Sequence, residues 1–98
     1  MLKKSYSKTS SVCRVTFKYD NKEKARSAVL AGEFNGWSLL ETPMKKLKDG
    51  SFSASLFLPA GQSYRFRYVL DGGVWVNETE ADGYAPNEYG EENSVLTI

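Results

Sequence analysis

The fold is decided by the stretch Tyr64-Arg65-Phe66-Arg67-Tyr68-Val69-Leu70-Asp71-Gly72-Gly73-Val74-Trp75. Large apolar side chains recur at every second position up to Leu70, and Arg65 and Arg67 alternate with them. This period of two predicts a β-strand with one face in a core and both guanidinium groups facing solvent. Asp71-Gly72-Gly73 supplies the left-handed residues of a tight hairpin turn, and a returning strand is predicted from Val74. Trp75 is therefore expected near the rim of a sheet.

The same alternation appears on both sides of this hairpin. Cys13, Val15, Phe17 and Tyr19 alternate with polar residues in segment 11–19, and Phe52, Ala54, Leu56 and Leu58 do so before Pro59. Shorter strands are predicted over 25–31, 44–48 and 94–98, and a helix over 21–31 is the competing interpretation of the first of these. About seven short strands separated by Gly, Pro, Asp and Asn predict an all-β fold, an immunoglobulin-like antiparallel β-sandwich.

Three segments lack strand periodicity. Residues 1–10 are rich in Lys and Ser and are predicted to be a flexible lead-in to a single module over 11–98. The segment 32–38, Gly-Glu-Phe-Asn-Gly-Trp-Ser, is predicted to turn sharply, with Phe34 pointing inward and Trp37 near the surface. Residues 77–92 are acidic and contain Gly83, Pro86 and Gly90, so they are expected to form a long loop.

Composition excludes several functions. The 98 residues suit one domain, and 13 basic against 12 acidic residues leave a net charge of +1, which argues against nucleic-acid binding. Charge is nevertheless uneven, because residues 1–26 hold eight bases and two acids, whereas residues 71–98 hold seven acids and no base. The absence of histidine removes imidazole catalysis and the commonest zinc ligand, so no cofactor is expected.

The sequence also carries information on the location of the protein. Cys13 is the only cysteine and cannot form an internal disulfide, and the chain has no apolar run long enough for a signal peptide or a membrane span. A cytoplasmic protein that contacts no membrane is therefore expected.

An ordered series of motifs resembles a known family. The series begins with Ala31-Gly32-Glu33-Phe34-Asn35-Gly36-Trp37 and continues with the strand 64–72, Trp75 with Asn77, Ala81-Asp82 with Tyr84, Asn87 with Tyr89-Gly90, and Asn93-Ser94-Val95. Over residues 12–98 it is similar to the family-48 carbohydrate-binding modules, which include isoamylase-type early-set domains and the glycogen-binding domain of the AMP-activated protein kinase beta subunit. Asn77-Glu78 stands where the kinase domain has Asp-Pro, which is closer to the small stand-alone bacterial members.

The resemblance implies non-catalytic binding of α-1,4-linked glucans such as glycogen, starch and maltodextrins, with a glucan-active enzyme as a possible partner. By position, Trp37 and Trp75 correspond to the two stacking tryptophans, and Arg67 takes the place of a lysine. The final loop contributes Tyr89 in place of a leucine, Glu91 in place of a threonine, and Asn93. The resemblance thus implies a carbohydrate site made of Trp37, Arg67, Trp75, Tyr89, Glu91 and Asn93.

Elementary chemistry gives the same residue types a role. A pyranose ring has an apolar face that suits flat aromatic rings and a belt of hydroxyls that suits fixed donors and acceptors. The planar fork of Arg67 can donate to two hydroxyls, and Asn93 can both donate and accept. A shallow surface buries little area, so the expected dissociation constant is about 10 μM to 1 mM.

Other interpretations use the same residues differently. Both tryptophans could be core residues, Arg65 and Arg67 could protect a sheet edge, and Tyr64 and Tyr68 are expected in the core. An enzyme would need paired acids such as Asp71 with Asp82 or Glu78 with Glu80, but no other catalytic motif accompanies them, so the chain is not expected to be an enzyme. A scaffold or protein-docking domain without a sugar site is the alternative function. Its partner would bind an exposed sheet edge or the acidic loop over 77–92.

Overall fold

The alternating segments form two antiparallel sheets in a computed structural model that describes all 98 residues. The chain has nine strands and one short 3-10 turn over Glu33–Asn35. The strands are β1 (Leu2–Tyr6), β2 (Val12–Tyr19), β3 (Ala28–Gly32), β4 (Lys45–Lys46), β5 (Phe52–Pro59), β6 (Ser63–Leu70), β7 (Val74–Val76), β8 (Gly83–Pro86) and β9 (Glu92–Thr97). The prediction of an immunoglobulin-like β-sandwich is confirmed.

The two sheets pack against each other through aromatic side chains. The first sheet has the order β1-β2-β5-β4, and the second has the order β3-β6-β9-β8 with β7 also paired to β6. Phe17 of β2 contacts Phe66 of β6 edge to face, with ring centroids 5.1 Å apart. The ring centroids of Tyr19 and Tyr68 are also 5.1 Å apart. These aromatic contacts join the facing sides of the sheets, so the second sheet's other side is left to carry a site.

The central hairpin has the predicted turn. Asp71 and Gly72 both adopt left-handed φ values, 49° and 76°. The side chain of Asp71 also accepts hydrogen bonds from the backbone amides of Arg26 and Ser27 at 2.9 and 3.1 Å. This ties the turn to the segment that leads into β3.

Two predicted irregular segments contain strands. The predicted lead-in over 1–10 includes β1, which pairs with β2 from Leu2 opposite Phe17 to Tyr6 opposite Cys13. The predicted loop over 77–92 includes β8, which pairs with β9. The prediction of a flexible lead-in was wrong, and the predicted loop is interrupted by β8, because pairing with a neighbouring strand supplies hydrogen bonds that local periodicity does not reveal.

The N-terminal strand is also attached to the second sheet. Lys4 donates to both oxygens of Asp82, at 2.9 and 2.7 Å, and the amide of Thr97 donates to Asp82 at 2.8 Å. Burial opposes the ionisation of Asp82, but the hydrogen bond from Lys4 and that from Thr97 outweigh it and hold the pKa of Asp82 below its usual value. Strand β1 is therefore part of the sandwich.

The connection between β2 and β3 has no helix. Asn21 adopts a left-handed φ of 58°, and its side chain bonds the amide of Ala25 at 2.8 Å and the carbonyl of Ala25 at 3.1 Å. These bonds make a tight turn, and β3 begins at Ala28. The strand interpretation of segment 25–31 is confirmed with a later start. No helix of the chain has the length and hydropathy that a membrane crossing requires.

Candidate functional site

The outer side of the second sheet is covered at one end. In the register of β3 with β6, Ala31 pairs with Arg67 and Val29 pairs with Val69. Ala31, Arg67 and Val69 alternate with core residues and so point outward, yet they are only 0%, 8% and 1% exposed. The loop after β3 carries Trp37 and strand β7 carries Trp75, and both residues line one cavity with Arg67 on this side of the sheet.

The two indole rings stand side by side. Their centroids are 6.5 Å apart and their planes are tilted by 41°. Trp37 is half-buried and Trp75 is 39% exposed, so neither ring is enclosed in the core. The interpretation of these tryptophans as core residues is not supported.

An open cavity of about 730 Å³ lies over this aromatic pair. It is lined by the side chains of Glu33, Trp37, Arg65, Arg67, Trp75, Pro86, Asn87, Glu88, Tyr89, Glu91 and Asn93. All six residues of the expected carbohydrate site are therefore brought to one surface. We call this surface the tryptophan platform.

Trp37 is held by an unusual backbone conformation. It follows the 3-10 turn, and Gly36 and Trp37 adopt left-handed φ values of 65° and 61° in succession. A residue with a Cβ rarely adopts such a conformation, and such residues cluster at functional sites. The amide of Trp37 donates to the carbonyl of Gly32 at 2.8 Å, which closes the turn.

Trp75 is held by a charged side chain. It lies in β7 opposite Val69, and its carbonyl accepts a hydrogen bond from Arg67 Nη2 at 3.1 Å. The guanidinium carbon of Arg67 lies 5.9 Å from the centroid of the Trp75 ring, a distance that allows a cation–π interaction. Arg67 Nη1 also forms an ion pair with Glu91 Oε1 at 3.0 Å.

The position of Arg67 corrects one prediction. Arg65 is exposed as expected, whereas Arg67 is 8% exposed and does not present its guanidinium group to solvent. Its Nε is buried and has no hydrogen-bond partner. Its two terminal nitrogens donate to the Glu91 carboxylate and to the Trp75 carbonyl. The guanidinium group is therefore directed at acceptors within the protein.

The last loop is arranged around one asparagine that the sequence interpretation did not place in the site. The side-chain oxygen of Asn87 accepts from the amides of Tyr89 and Glu91 at 3.0 and 3.1 Å. Its nitrogen donates to Asn93 Oδ1 at 3.2 Å. Asn is a recognised turn residue whose side chain bonds the backbone two residues on, as Asn87 does here, so this role could have been found in the sequence.

The loop places its three site residues at different depths. Tyr89 is 81% exposed, the Glu91 side chain is 63% exposed, and Asn93 is 8% exposed. Tyr89 therefore stands at the rim, and Asn93 lies at the base of the cavity.

Three of the four acids considered for an enzyme accept hydrogen bonds within the protein. Glu78 is 2% exposed and accepts hydrogen bonds from the hydroxyl of Tyr68 at 2.8 Å and from the amide of Glu80 at 2.7 Å. Burial and then the charge of Glu78 raise the pKa of Tyr68 above its ordinary value. Asp71 and Asp82 bond the backbone as described above. Each of these three acids is engaged within the protein.

A tilted aromatic pair with a polar rim on the outside of a β-sandwich is a surface typical of a binding module. Comparison with known families gives the particular one. Residues 6–85 match the model of carbohydrate-binding module 48, the isoamylase N-terminal domain, and the chain belongs to this family of non-catalytic binding modules. Trp37, Arg67 and Trp75 lie within the matched residues, whereas Tyr89, Glu91 and Asn93 follow them. No match was found among curated proteins.

Proposed function

We propose that the tryptophan platform binds α-1,4-linked glucans such as glycogen, starch and maltodextrins. The observation that carries this proposal is the pair of indoles 6.5 Å apart with a tilt of 41°. An α-1,4-linked chain curves as it advances, so successive glucose rings present apolar faces at an angle. A β-1,4-linked chain is a flat ribbon and suits coplanar rings. The tilt therefore favours the curved chain.

Polar groups around the rings suit the hydroxyls of such a chain. The side-chain nitrogen of Asn93 is free to donate, since its oxygen takes the bond from Asn87. Tyr89 offers an exposed ring and hydroxyl at the rim, and the second oxygen of Glu91 is free to accept. In the proposal, Arg67 bonds sugar only through the donors that Glu91 and Trp75 leave unused.

A titration with maltoheptaose tests this function. We expect quenching of tryptophan fluorescence with a dissociation constant of about 10 μM to 1 mM, because a shallow open surface buries little area. Cellohexaose should bind more weakly. No response to maltoheptaose and no retention on glycogen or starch would reject the proposal.

Two variants make the titration specific. Trp75→Ala should weaken maltoheptaose binding by about tenfold or more, equivalent to about 1.4 kcal/mol, and should leave the unfolding transition intact because the ring is 39% exposed. Phe57→Ala is the matched control, since Phe57 is 74% exposed on the first sheet and does not line the cavity. Equal losses in both variants would count against the platform.

The wider setting is proposed on the same basis. A module of this family is suited to hold a glucan near a glycogen- or starch-metabolising enzyme, and we propose an accessory role of this kind in the cytoplasm. The single cysteine, Cys13, is 0% exposed in the core, which is compatible with a reducing compartment. A scaffold or docking role becomes the better explanation if purified protein binds a partner enzyme but no glucan.

A further inference from the structure

We propose that Asn35 and Thr42 are positioning residues that fix the Trp37 ring beside Trp75. Neither residue lines the cavity. Their effect on sugar affinity rests on the proposed glucan function, but their effect on the two rings does not. The geometry of the turn that carries Trp37 supports the proposal in three steps.

The first step is that the backbone of Trp37 must be held in place. Gly36 and Trp37 are both left-handed, and only the glycine adopts that conformation readily. If Trp37 relaxed to an ordinary negative φ, its side chain would leave the chain in a different direction. The ring separation of 6.5 Å would then be lost.

The second step is that the side chain of Asn35 ties this turn to β3. Its oxygen accepts from the amide of Gly32 at 3.1 Å, and its nitrogen donates to the carbonyl of Leu30 at 2.9 Å. The same nitrogen donates to Thr42 Oγ1 at 3.0 Å. One amide therefore makes three of the four hydrogen bonds available to it.

The third step is that Thr42 ties the far end of the loop to the same strand. Its carbonyl accepts from the amide of Leu30 at 2.9 Å, and its hydroxyl meets Asn35. The start, the turn and the end of segment 32–42 are thus joined through Asn35. The direct backbone bond from Trp37 to Gly32 lies inside this frame.

A spectroscopic measurement without sugar tests the proposal. Two indoles this close should give an exciton couplet in far-ultraviolet circular dichroism, and Trp37→Phe or Trp75→Phe should each remove it. Asn35→Asp keeps the acceptor for Gly32 but loses both donated bonds, and Thr42→Val removes only the hydroxyl. We expect Asn35→Asp to lose most of the couplet and Thr42→Val to lose part of it.

Ser38→Ala is the matched control. The hydroxyl of Ser38 accepts from the amides of Leu40 and Glu41 in the same loop, at 3.1 and 3.2 Å, but does not contact Asn35. This variant should keep the couplet. Retention of the full couplet by a folded Asn35→Asp variant overturns the proposal, and if that variant does not fold, a full couplet in Thr42→Val does so.

Sugar binding gives the second measurement. In Asn35→Asp, the affinity for maltoheptaose should fall by about tenfold, because a Trp37 ring that is no longer held in place must be ordered when sugar binds. A lost couplet with unchanged affinity would support the positioning of the ring by Asn35 but overturn its effect on sugar binding. If the unmodified protein binds no maltoheptaose, the glucan proposal fails, and the couplet still decides whether Asn35 positions Trp37.

Discussion

The two tryptophans of the platform are equivalent in chemistry but are held by different forces. Trp37 stands on a left-handed turn that neutral amide bonds fix to β3. Trp75 stands on a regular strand, and a buried guanidinium bonds its carbonyl and lies against its ring. Hydrogen bonds between neutral groups respond little to salt or charge, whereas the contacts of Trp75 are made by the charged guanidinium of Arg67. The Trp37 ring is therefore held by the backbone conformation of its turn, and the Trp75 ring is held partly by its electrostatic interaction with Arg67.

Alkaline unfolding gives the largest expected effect on both rings. Burial, followed by the charge of Glu78, raises the pKa of Tyr68 above the ordinary 10.0. The folded state thus holds this proton more tightly, so its stabilising contribution is complete below about pH 10 and is lost as the pH rises further. The side-chain amide of Asn35 does not ionise, so the bonds that hold Trp37 carry no titrating group of their own.

The couplet should consequently persist until the core opens. We expect loss of the couplet, tyrosinate absorbance from Tyr68 and loss of β-sheet signal to coincide above about pH 10. Loss of the couplet while the sheet signal remains would contradict this, because the rings would then separate before the core opens.

The turn that carries Trp37 should be more sensitive to a steric change than the hairpin that carries Trp75. A Cβ at Gly32 would lie 2.7 Å from Phe34 Cζ and 2.8 Å from the carbonyl oxygen of Arg65. Gly32→Ala should therefore lower the free energy of unfolding by about 1–3 kcal/mol, as measured by urea denaturation.

Gly73→Ala is the control for this change. A Cβ at Gly73 meets no atom within 4 Å, and its φ is not left-handed. Its stability should stay within about 0.5 kcal/mol of the parent. A Gly32→Ala variant as stable as Gly73→Ala would contradict the close packing beneath the turn.

The contacts that hold Trp75 should be more sensitive to removal of charge than the bonds that hold Trp37. Arg67→Met keeps an unbranched chain of similar length but loses the bonds to Trp75 and Glu91. We expect maltoheptaose affinity to fall by about tenfold, or about 1.4 kcal/mol, in a titration.

Arg14→Met is the control for this variant. Arg14 is an exposed strand arginine whose neighbours in sequence, Cys13 and Val15, face the core of the first sheet. Its affinity should not change. Equal losses in the two variants would indicate a general effect of net charge instead of a local contact.

Neutralising Glu91 should have the smallest effect. The Glu91 side chain is 63% exposed, so its ion pair with Arg67 is screened by solvent. Glu91→Gln keeps an acceptor and should change affinity by about twofold, within the 0–1 kcal/mol typical of exposed ion pairs. Salt should weaken binding in the parent and have less effect in this variant. The opposite salt response would mean that the ion pair competes with sugar.

Sequence periodicity accounted for much of the fold. The alternation in segments 11–19, 52–58 and 64–70 predicted β2, β5 and β6, and these three strands carry most of the large core aromatics. Strands β1 and β8 were missed because their residues are mostly polar or part-exposed, and only pairing with a neighbour makes them strands.

The residue types of the candidate site were also available in the sequence. The motif around Asn35-Gly36-Trp37 and the hairpin before Trp75 marked the two aromatic positions, and the prediction that Phe34 turns inward is confirmed by its contact with Phe17 at 5.7 Å. The burial of Arg67 was not predicted, since alternation alone puts it on an outer side that is normally wet.

The sequence by itself determined the sandwich, because a side chain's place on a strand follows from a period of two and the turn residues follow from local backbone preferences. Only the tertiary structure decided that Trp37 and Trp75 face one another, that Arg67 lies beneath Trp75, and that Asn35 joins both ends of its loop. These contacts link residues distant along the chain or on different elements. Their geometry depends on how the sheets pack, which no local pattern encodes.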